Sequence, residues 1–260
     1  MYGAIIGDIC GSIYEFNNFR TDNPDEIQLI DPRCFFTDDT VLTCAIMDAL
    51  LSNRNYKKAV YRWANKYPKR GYGHRFVLWY TSFFPKPYNS FGNGAAMRAS
   101  SIGWAFDTIE ETMAEAKRSA EITHNHPEGI KGAQATAIAI FLARQGKGKE
   151  IIKKCIEDTF GYNLDRTLKN IRPLYVFNES CQGTVPEAII AFLESEDFTS
   201  AIQNAISLGG DSDTLACITG GIAEAYYKNI PEELIEFANR ILSQEIRDLL
   251  EKFYKQFRRI

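Results

Sequence analysis

The sequence predicts an all-α fold, in a single compact domain of roughly a dozen helices that spans residues 1–260. Three observations support this fold class. Apolar residues recur with the helical period along nearly the whole chain, no segment shows the alternation of a β-strand, and no linker or internal repeat divides the chain. Hydrophobic residues make up 45% and charged residues 24% of the sequence, as in a globular protein with a sizeable core.

Glycine, proline and short polar turns divide the helical pattern into segments. The predicted helices cover residues 3–16, 41–51, 56–67, 74–82, 92–105, 108–122, 146–160, 186–193, 198–208, 213–227, 231–242 and 246–257, and a further helix begins at residue 127. Residues 17–33 and 83–91 are predicted loops, because prolines interrupt both segments and restrict the residues before them. The aromatic residues of the second loop favour local packing, with a purine-binding surface as the alternative.

Small residues predict which helices lie close together. The helix that begins at Pro127 is small on nearly every face, for example at Ala135 and Ala139, so we expect it to be central. Gly220 and Gly221 lie inside a later helix, where each glycine costs about 1 kcal/mol relative to alanine. We expect close backbone packing of that helix to account for both glycines.

Two segments share a pattern of acidic and hydroxyl residues at the start of a predicted helix. One reads Leu-Gly-Gly-Asp-Ser-Asp-Thr-Leu-Ala over residues 208–216, and the other reads Phe-Thr-Asp-Asp-Thr over residues 36–40. Helix capping explains one carboxylate at each start, but a second carboxylate beside it adds repulsion unless a cation neutralises the pair. Together the segments predict a metal site. Their oxygen ligands favour magnesium, manganese or calcium over zinc, and the helix-loop-helix pattern of calcium sites is absent.

Asp8 and Glu15 lie seven residues apart in the first predicted helix. Seven residues make about two helical turns, so both side chains would share one face. A single acidic residue on an apolar helix is usually hydrogen-bonded or exposed, and we interpret Asp8 in that way. Glu15 belongs to the metal site only if its side chain points towards the two acidic segments.

Two further segments are candidates for ligand binding. Residues 92–98 read Gly-Asn-Gly-Ala-Ala-Met-Arg and open a predicted helix, where backbone N–H groups can approach an anion such as a diphosphate. Arg98 is either solvated at the surface or paired with the acidic site. Residues 124–126 read His-Asn-His, which raises the question of zinc. The only other histidine, His74, stands in an unrelated context, so a neutral imidazole in a cleft or a structural cap is favoured.

Charge and cysteine content exclude several classes of protein. Thirty basic and 33 acidic residues give a net charge of −3, so no overall field recruits nucleic acid or an anionic membrane. The six cysteines occur singly, without the spacing of a disulfide framework or a zinc site, which favours a reducing compartment. The sequence shows neither a signal-peptide pattern nor an apolar run of the roughly 18 residues that a membrane helix needs. We therefore expect a cytoplasmic monomer.

Taken together, the motifs resemble those of the ADP-ribosylglycohydrolases, which include the dinitrogenase reductase-activating glycohydrolase and the ADP-ribosyl-acceptor hydrolases. The resemblance spans nearly the whole chain and rests on residues 7–11 with Glu15, 36–40, 92–98, 123–124 and 209–214. It implies an all-α fold with two Mg²⁺ or Mn²⁺ ions in a central cleft. It also implies hydrolysis of the bond between the ribose of ADP-ribose and an acceptor.

The resemblance assigns roles to individual residues as well. The metal ligands that it implies are Thr37, Asp38, Asp39, Asp211, Asp213 and Thr214. The residues that it implies for ADP-ribose binding are Asn93, Gly94, Ala95, Ala96, Met97 and His124. The implied catalytic residues are Glu15, Asp39 and Asp211, with Glu15 beside the metals to position or deprotonate a water or to gate access. His126 and Glu128 are interpreted as structural.

The chemistry of the ligands agrees with this expectation. Two divalent ions held by shared carboxylates can bind ribose hydroxyls, lower the pKa of a bridging water and direct it at the anomeric carbon. The expected substrate is an ADP-ribosylated protein or a small ADP-ribose conjugate. The alternatives are a module that binds ADP-ribose without turnover, which the intact ligand set disfavours, and a different di-metal hydrolase on the same fold. Arginine is the favoured acceptor, because Glu15, Asp8 and residues 22–31 would give the cleft an acidic edge.

Overall fold

The structure is a computed structural model that describes residues 1–257. Its regular secondary structure is helical, and within these residues the isolated bridge between Gly92 and Ser180 is the only β-type pairing. The α-helices of this part of the chain are α1 (Tyr2–Gly11), α2 (Asp38–Leu50), α3 (Tyr56–Lys66), α4 (His74–Thr81), α5 (Ser100–Ala105), α6 (Ile109–Glu121), α7 (Pro127–Arg144), α8 (Lys149–Phe160), α9 (Leu168–Ile171), α10 (Cys181–Leu193), α11 (Phe198–Ile206), α12 (Ser212–Tyr227), α13 (Glu232–Ile241) and α14 (Gln244–Phe257). The predicted all-α fold is confirmed.

The first helix is shorter than predicted. α1 ends at Gly11, and a separate 3-10 turn begins at Glu15. At the end of the helix the Ser12 hydroxyl donates to the Ile9 carbonyl at 2.8 Å and accepts from the Phe35 N–H at 3.1 Å. Such side-chain bonds compete with continuation of the helix. The predicted shared helical face of Asp8 and Glu15 is therefore wrong, because the two residues belong to different elements.

Two other boundaries differ from the sequence prediction. Residues 92–105 form two 3-10 turns, Asn93–Ala95 and Met97–Ala99, before α5 begins at Ser100. α10 begins at Cys181, upstream of the predicted start at Pro186, because the Ser180 side chain accepts from the backbone of Gly183 and caps the helix. Residues 17–33 and 83–91 lie outside the α-helices, as predicted, with one 3-10 turn at Pro24–Glu26.

α1 and α12 run antiparallel at the centre of the fold with their backbones in contact. A Cβ added at Gly7 would lie 2.0 Å from Ala216 O, and one added at Gly3 would lie 2.2 Å from Gly220 O. No larger residue fits at these positions without moving a helix. The predicted close packing at Gly220 is confirmed. The contact brings the end of α1 against the start of α12, where a Cβ at Gly11 would lie 2.5 Å from Asp213 Cα.

α7 is the other central helix. It contacts α5, α6, α8, α10 and α12. Ala135 and Ala139 have no exposed surface. Small side chains on every face let these neighbours approach, so the predicted central position is confirmed. In the described chain, no helix combines the length and the apolarity that a bilayer-spanning helix needs.

Candidate metal centre and active-site cleft

The loop before α12 presents one group of predicted ligands. Gly209 and Gly210 have φ values of +75° and +67°, a conformation that glycine adopts without strain. A Cβ at Gly210 would also lie 2.8 Å from a ring carbon of Tyr175. Asp211 follows at the N-cap position, but its side chain makes no capping hydrogen bond. Capping therefore does not account for this carboxylate.

The start of α2 presents the second group. The Thr37 hydroxyl caps the helix by accepting from the Asp39 N–H at 3.3 Å. The Asp38 N–H donates to Arg70 O at 2.7 Å, and a Cβ at Gly71 would lie 3.3 Å from Asp38 Oδ1. The threonine thus satisfies the helix end, and both neighbouring carboxylates stay available for another role.

Asp8 fastens the start of α2 to α1. Its carboxylate is fully buried and accepts from the Thr37 hydroxyl at 2.6 Å, from the Thr37 N–H at 3.0 Å and from the Thr40 N–H at 3.1 Å. The Thr40 hydroxyl donates to the same carboxylate. Of the two alternatives for Asp8, hydrogen-bonded or exposed, the structure shows the first. Its bonds fix the loop from which Asp38 and Asp39 project.

Three carboxylates converge on one point. One oxygen from each of Glu15, Asp211 and Asp213 lies within 4.8 Å of the others. Asp39 of the second group is connected to α12, because the Thr214 hydroxyl donates to Asp39 Oδ2 at 3.2 Å. Asp39 Oδ1 is buried and has no hydrogen-bond partner among the described residues. Glu15 therefore does point towards the acidic segments, although it arrives from a turn and not from α1.

The charges of this cluster repel one another. Burial, followed by the charges of Asp211 and Asp8, raises the pKa of Glu15 from 4.5 to about 7. Burial and neighbouring carboxylates also raise the pKa values of Asp38, Asp39 and Asp213 well above their ordinary range. A buried oxygen without a partner and several convergent carboxylates are the chemistry that a hard divalent cation satisfies. The residues present fit Mg²⁺ or Mn²⁺.

A cleft of about 310 Å³ opens above the cluster. This is the lower end of the range for small-molecule sites. The predicted site residues that line it are Glu15, Thr37, Asp38, Asp39, Asn93, Gly94, Met97, His124, Asp211, Asp213 and Thr214. Ala95 and Ala96 are fully buried and are not among the lining residues. Of the predicted site residues, these two alone do not face the cleft.

Asn93 joins the predicted ligand-binding turn to the acidic cluster. Its side-chain amide donates to Asp211 Oδ2 at 2.7 Å and to the Thr184 hydroxyl at 3.0 Å. Its backbone N–H donates to Glu179 O at 2.7 Å. The amide therefore orients Asp211, and a substrate bound along residues 92–94 would lie directly beside the cluster.

The basic and imidazole groups near this turn are buried. Arg98 has no exposed surface and donates to Ser119 O and to the Thr123 hydroxyl. Both interpretations offered for Arg98, surface solvation and an ion pair with the acidic site, are wrong, because in the described chain the guanidinium pairs with no carboxylate and is not solvated. Burial, with Arg98 and Arg75 nearby, lowers the pKa of His124 well below its ordinary value. His126 caps α7 by accepting from the Glu128 N–H at 3.1 Å, so its structural interpretation is confirmed.

Several cleft residues were missed by sequence analysis. Phe16 and Phe35, which are 79% and 44% exposed, lie at the mouth of the cleft. Glu179 lines it from the segment before α10, and Arg70 and Arg75 line it from around the start of α4. Arg75 lies in α4 and the others lie in loops or turns, and all of them are outside the acidic and ligand-binding motifs at residues 36–40, 92–98 and 208–216. No local signal in the sequence distinguishes them from the residues around them.

The predicted acidic edge of the cleft is also corrected. Asp8 is buried and occupied by threonine hydrogen bonds, and residues 22–31 do not line the cleft. The edge instead carries Arg70, His74 and Arg75 beside Glu15. Because Glu15 alone of the acids that favoured an arginine acceptor lines the cleft, that electrostatic argument is weakened.

Size alone does not identify the site. A larger groove of about 510 Å³ lies among α2, α3 and α14. Its walls carry the surface ion pairs Arg62–Asp48 and Lys66–Glu245, the second at 2.6 Å. Such exposed ion pairs contribute little to stability, and they do not bring several carboxylates together as a metal site does. The chemistry therefore points to the smaller cleft.

Comparison with known proteins decides the family. A family model described as ADP-ribosylglycohydrolase matches residues 1–259. The chain belongs to the ADP-ribosylglycohydrolase family. The predicted enzyme class, a hydrolase of this family, is confirmed by that match and by relatives named as ADP-ribosylhydrolases.

Two relatives and one solved structure show how far the likeness extends. Human ADP-ribosylhydrolase ARH3 is 29% identical over 309 positions, which cover 88% of this chain and 85% of the human protein. A putative ADP-ribosyl glycohydrolase of Acanthamoeba polyphaga mimivirus is 28% identical and covers 90% of this chain and 88% of its own. A solved structure described as an ADP-ribosylglycohydrolase-related protein complex superposes with a TM-score of 0.73 at 24% identity, covering 98% of this chain and 95% of that one. This last similarity supports the fold.

Proposed function

We propose that this protein is a divalent-cation-dependent hydrolase that cleaves the glycosidic bond between ADP-ribose and an acceptor, either a protein side chain or a small conjugate. The observation that carries the proposal is the convergence of Glu15, Asp211 and Asp213 within 4.8 Å at the floor of the cleft. The family match and the names of the relatives supply the ADP-ribose part of the proposal.

The two acidic groups are the proposed ligands of two Mg²⁺ or Mn²⁺ ions. The proposed ligands are Thr37, Asp38, Asp39, Asp211, Asp213 and Thr214. When bound, such ions supply Lewis-acid chemistry to ribose hydroxyls and to water. The chain contributes the fixed positions of the ligands, through Asp8 on the side of α2 and Asn93 on the side of α12.

Glu15 is the proposed proton acceptor. Its carboxylate faces the cleft beside Asp211 and Asp213, where it can accept a proton from a water. Asp39 and Asp211 are proposed to stabilise the positive charge that develops on the ribose when the glycosidic bond breaks. Asn93, Gly94, Met97 and His124 form the wall against which ADP-ribose is proposed to lie.

The charges at the edge of the cleft favour an oxygen-linked acceptor as a second candidate. Arg70, whose guanidinium lies 3.8 Å from the ring centre of Phe36, and Arg75, which lies over Tyr88, place positive charge beside the cleft. A guanidinium leaving group is repelled by these charges, whereas a serine hydroxyl or a phosphate is not. The relative rates on matched arginine-linked and oxygen-linked substrates therefore distinguish the two acceptors.

One panel assay tests the proposal. Release of ADP-ribose is measured with and without Mn²⁺ from ADP-ribosyl-arginine, ADP-ribosyl-serine, ADP-ribosyl nucleic acid and ADP-ribose-1″-phosphate. The expected result is metal-dependent release that Asp213→Asn abolishes and that Asp25→Asn, an exposed acidic residue outside the cleft, leaves unchanged. Release without metal, or no release from any substrate, contradicts the proposal. A kcat/KM at least about tenfold higher on the arginine peptide than on the matched serine peptide contradicts the oxygen-linked acceptor alone.

A further inference from the structure

Arg98, Thr123 and His124 form a row of hydrogen-bonded side chains at the wall of the cleft, which Arg98 and His124 line. Arg98 and Thr123 have no exposed surface, and His124 is 5% exposed. Arg98 Nη2 lies 2.8 Å from Ser119 O and 2.9 Å from Thr123 Oγ1. Thr123 Oγ1 in turn lies 2.7 Å from His124 Nδ1.

The direction of each hydrogen bond follows from the donors available. A guanidinium can only donate, so Nη2 uses its two protons on the Ser119 carbonyl and on the Thr123 hydroxyl oxygen. The hydroxyl keeps one proton of its own. Within residues 1–257, His124 Nδ1 is its only remaining hydrogen-bond partner. If Nδ1 carried a proton instead, the buried Thr123 proton would have no acceptor, which burial penalises.

We propose that Arg98 is a positioning residue that acts through Thr123 to fix the tautomer of His124, with the ring proton on Nε2. The Arg98 guanidinium orients the Thr123 hydroxyl, and that hydroxyl donates to Nδ1. His124 therefore presents an N–H donor to the cleft and has no free lone pair there. It can bind an acceptor oxygen, but Nε2 cannot accept a proton as a general base.

The surroundings of Nε2 agree with this role. Among the described residues no hydrogen bond involves Nε2, and His124 lines the cleft. A Cβ at Gly94 would lie 3.2 Å from Nε2, closer than an ordinary contact, so glycine at this position leaves room beside the donor. The partner that fits is an oxygen of a phosphate or a ribose hydroxyl. That identification rests on the proposed function, whereas the tautomer does not.

The presence of an unpaired buried arginine also supports the proposal. Arg98 Nε and Nη1 have no hydrogen-bond partner, and burial lowers the pKa of the guanidinium to about 10. A buried cation without a carboxylate partner is unfavourable for stability, so a functional role would explain its presence. Its two hydrogen bonds hold the end of α6 and the hydroxyl beside His124.

Nitrogen NMR on the full-length protein tests the tautomer directly. Long-range ¹H–¹⁵N spectra distinguish a protonated ring nitrogen from an unprotonated one, and His124→Gln identifies the signals of this residue among the three histidines. The wild-type protein should show a protonated Nε2 and an unprotonated Nδ1. Thr123→Ser keeps the hydroxyl and should keep this pattern. Thr123→Val has the same shape without the hydroxyl and should shift the two nitrogens towards each other, as Nδ1–H becomes populated.

The arginine is tested by Arg98→Met and Arg98→Lys. Methionine has no donor, so the freed hydroxyl can accept from Nδ1–H and the same mixed pattern should appear in Arg98→Met. The lysine ammonium has three donors and is the conservative variant, which should keep the wild-type pattern. A wild-type proton on Nδ1, a Thr123→Val spectrum identical to wild type, or a folded Arg98→Met variant with the wild-type pattern would each overturn the proposal.

Ligand binding provides a second readout. Thr123→Val should weaken ADP-ribose binding about threefold to tenfold in calorimetry and raise KM with kcat nearly unchanged, because the lost donor contributes equally to ground and transition states. Thr123→Ser should restore both values. If the wild-type protein does not bind ADP-ribose, the proposed function fails while the NMR result stands. A fixed Nε2–H with unchanged binding in Thr123→Val would overturn the role of the donor.

Discussion

Asp213→Asn should raise the stability of the metal-free protein and remove most of the stability gained from metal. Asp213 lies within 4.8 Å of the carboxylate oxygens of Glu15 and Asp211, in a buried cluster of like charge. Asparagine has the same shape and keeps an oxygen that can accept the Thr214 N–H, now bonded to Asp213 Oδ1 at 3.0 Å. The substitution therefore removes a charge with little change in packing.

The magnitude follows from the spacing of the charges. Two unit charges 4.8 Å apart repel by about 3 to 4 kcal/mol at an effective dielectric constant near 20. Protonation already relieves part of this repulsion, since the pKa of Glu15 is raised to about 7 and the pKa of Asp213 is raised well above its ordinary value. We therefore expect Asp213→Asn to stabilise the metal-free protein by about 1 to 2 kcal/mol. Mn²⁺ at a hundred times its Kd should stabilise the wild-type protein by about 2.7 kcal/mol.

Thermal unfolding at neutral pH measures both effects. In chelator, Asp213→Asn should unfold about 2 to 8 °C above the wild-type protein. Saturating Mn²⁺ should raise the wild-type midpoint by about 5 to 10 °C and the variant midpoint by less than about 2 °C. Asp25→Asn, in the exposed 3-10 turn Pro24–Glu26, is the matched control and should follow the wild type in both conditions. A metal-free variant less stable than wild type, together with an undiminished metal shift, would refute the reasoning.

Three further predictions concern single residues. Glu15→Gln should lower kcat much more than Mn²⁺ affinity. In chelator, the pKa of Glu15 is about 7 in the folded state, above the ordinary 4.5, so the stability of the wild-type protein falls as the pH rises from about 5 to 7. Melting curves of the variant should lack that part of the decline. Gly7→Ala places a Cβ 2.0 Å from a carbonyl oxygen of α12 and should destabilise the protein by about 3 kcal/mol, as measured by urea unfolding. The control Gly148→Ala, where a Cβ would meet no atom within 4 Å, should change stability by less than about 1 kcal/mol. Asp8→Asn places an amide group against four donors and should destabilise the protein by at least about 2 kcal/mol. Calorimetry should show that the affinity for Mn²⁺ is reduced about tenfold to a hundredfold. Unchanged stability and affinity would show that Asp8 does not support the site.

The helical architecture could be predicted because it is encoded locally. Apolar periodicity identified most helices, and the small residues of α7 correctly predicted its central position. The end of α1 could not be predicted, since it depends on a bond between Ser12 and the backbone of Phe35, which is distant in sequence. Ser180, which starts α10 upstream of Pro186, was likewise hidden by the expectation that proline begins a helix.

The candidate ligands could be named from sequence, whereas their support could not. Paired acids beside helix starts are a local pattern, so Asp38 and Asp213 were identified directly. The role of Asp8 depends on hydrogen bonds to a helix about 30 residues away, and periodicity contains no information about such contacts. Arg98 shows the same limit, because its burial follows from the packing of α6 and α7 around it and not from its own neighbours in sequence.

The acidic cluster and the glycine contacts of α1 and α12 depend on each other. Several buried carboxylates push their elements apart when no cation neutralises them. The contacts at Gly7 and Gly11 leave no space between the two helix backbones, so the rest of the core holds these elements together against that repulsion. The same contacts fix Asp213 relative to the loop that Asp8 holds. A substitution that separates the helices should therefore weaken metal binding as well as stability, and a loss of stability at Gly7→Ala with full Mn²⁺ affinity would show that the cluster is positioned by its loops alone.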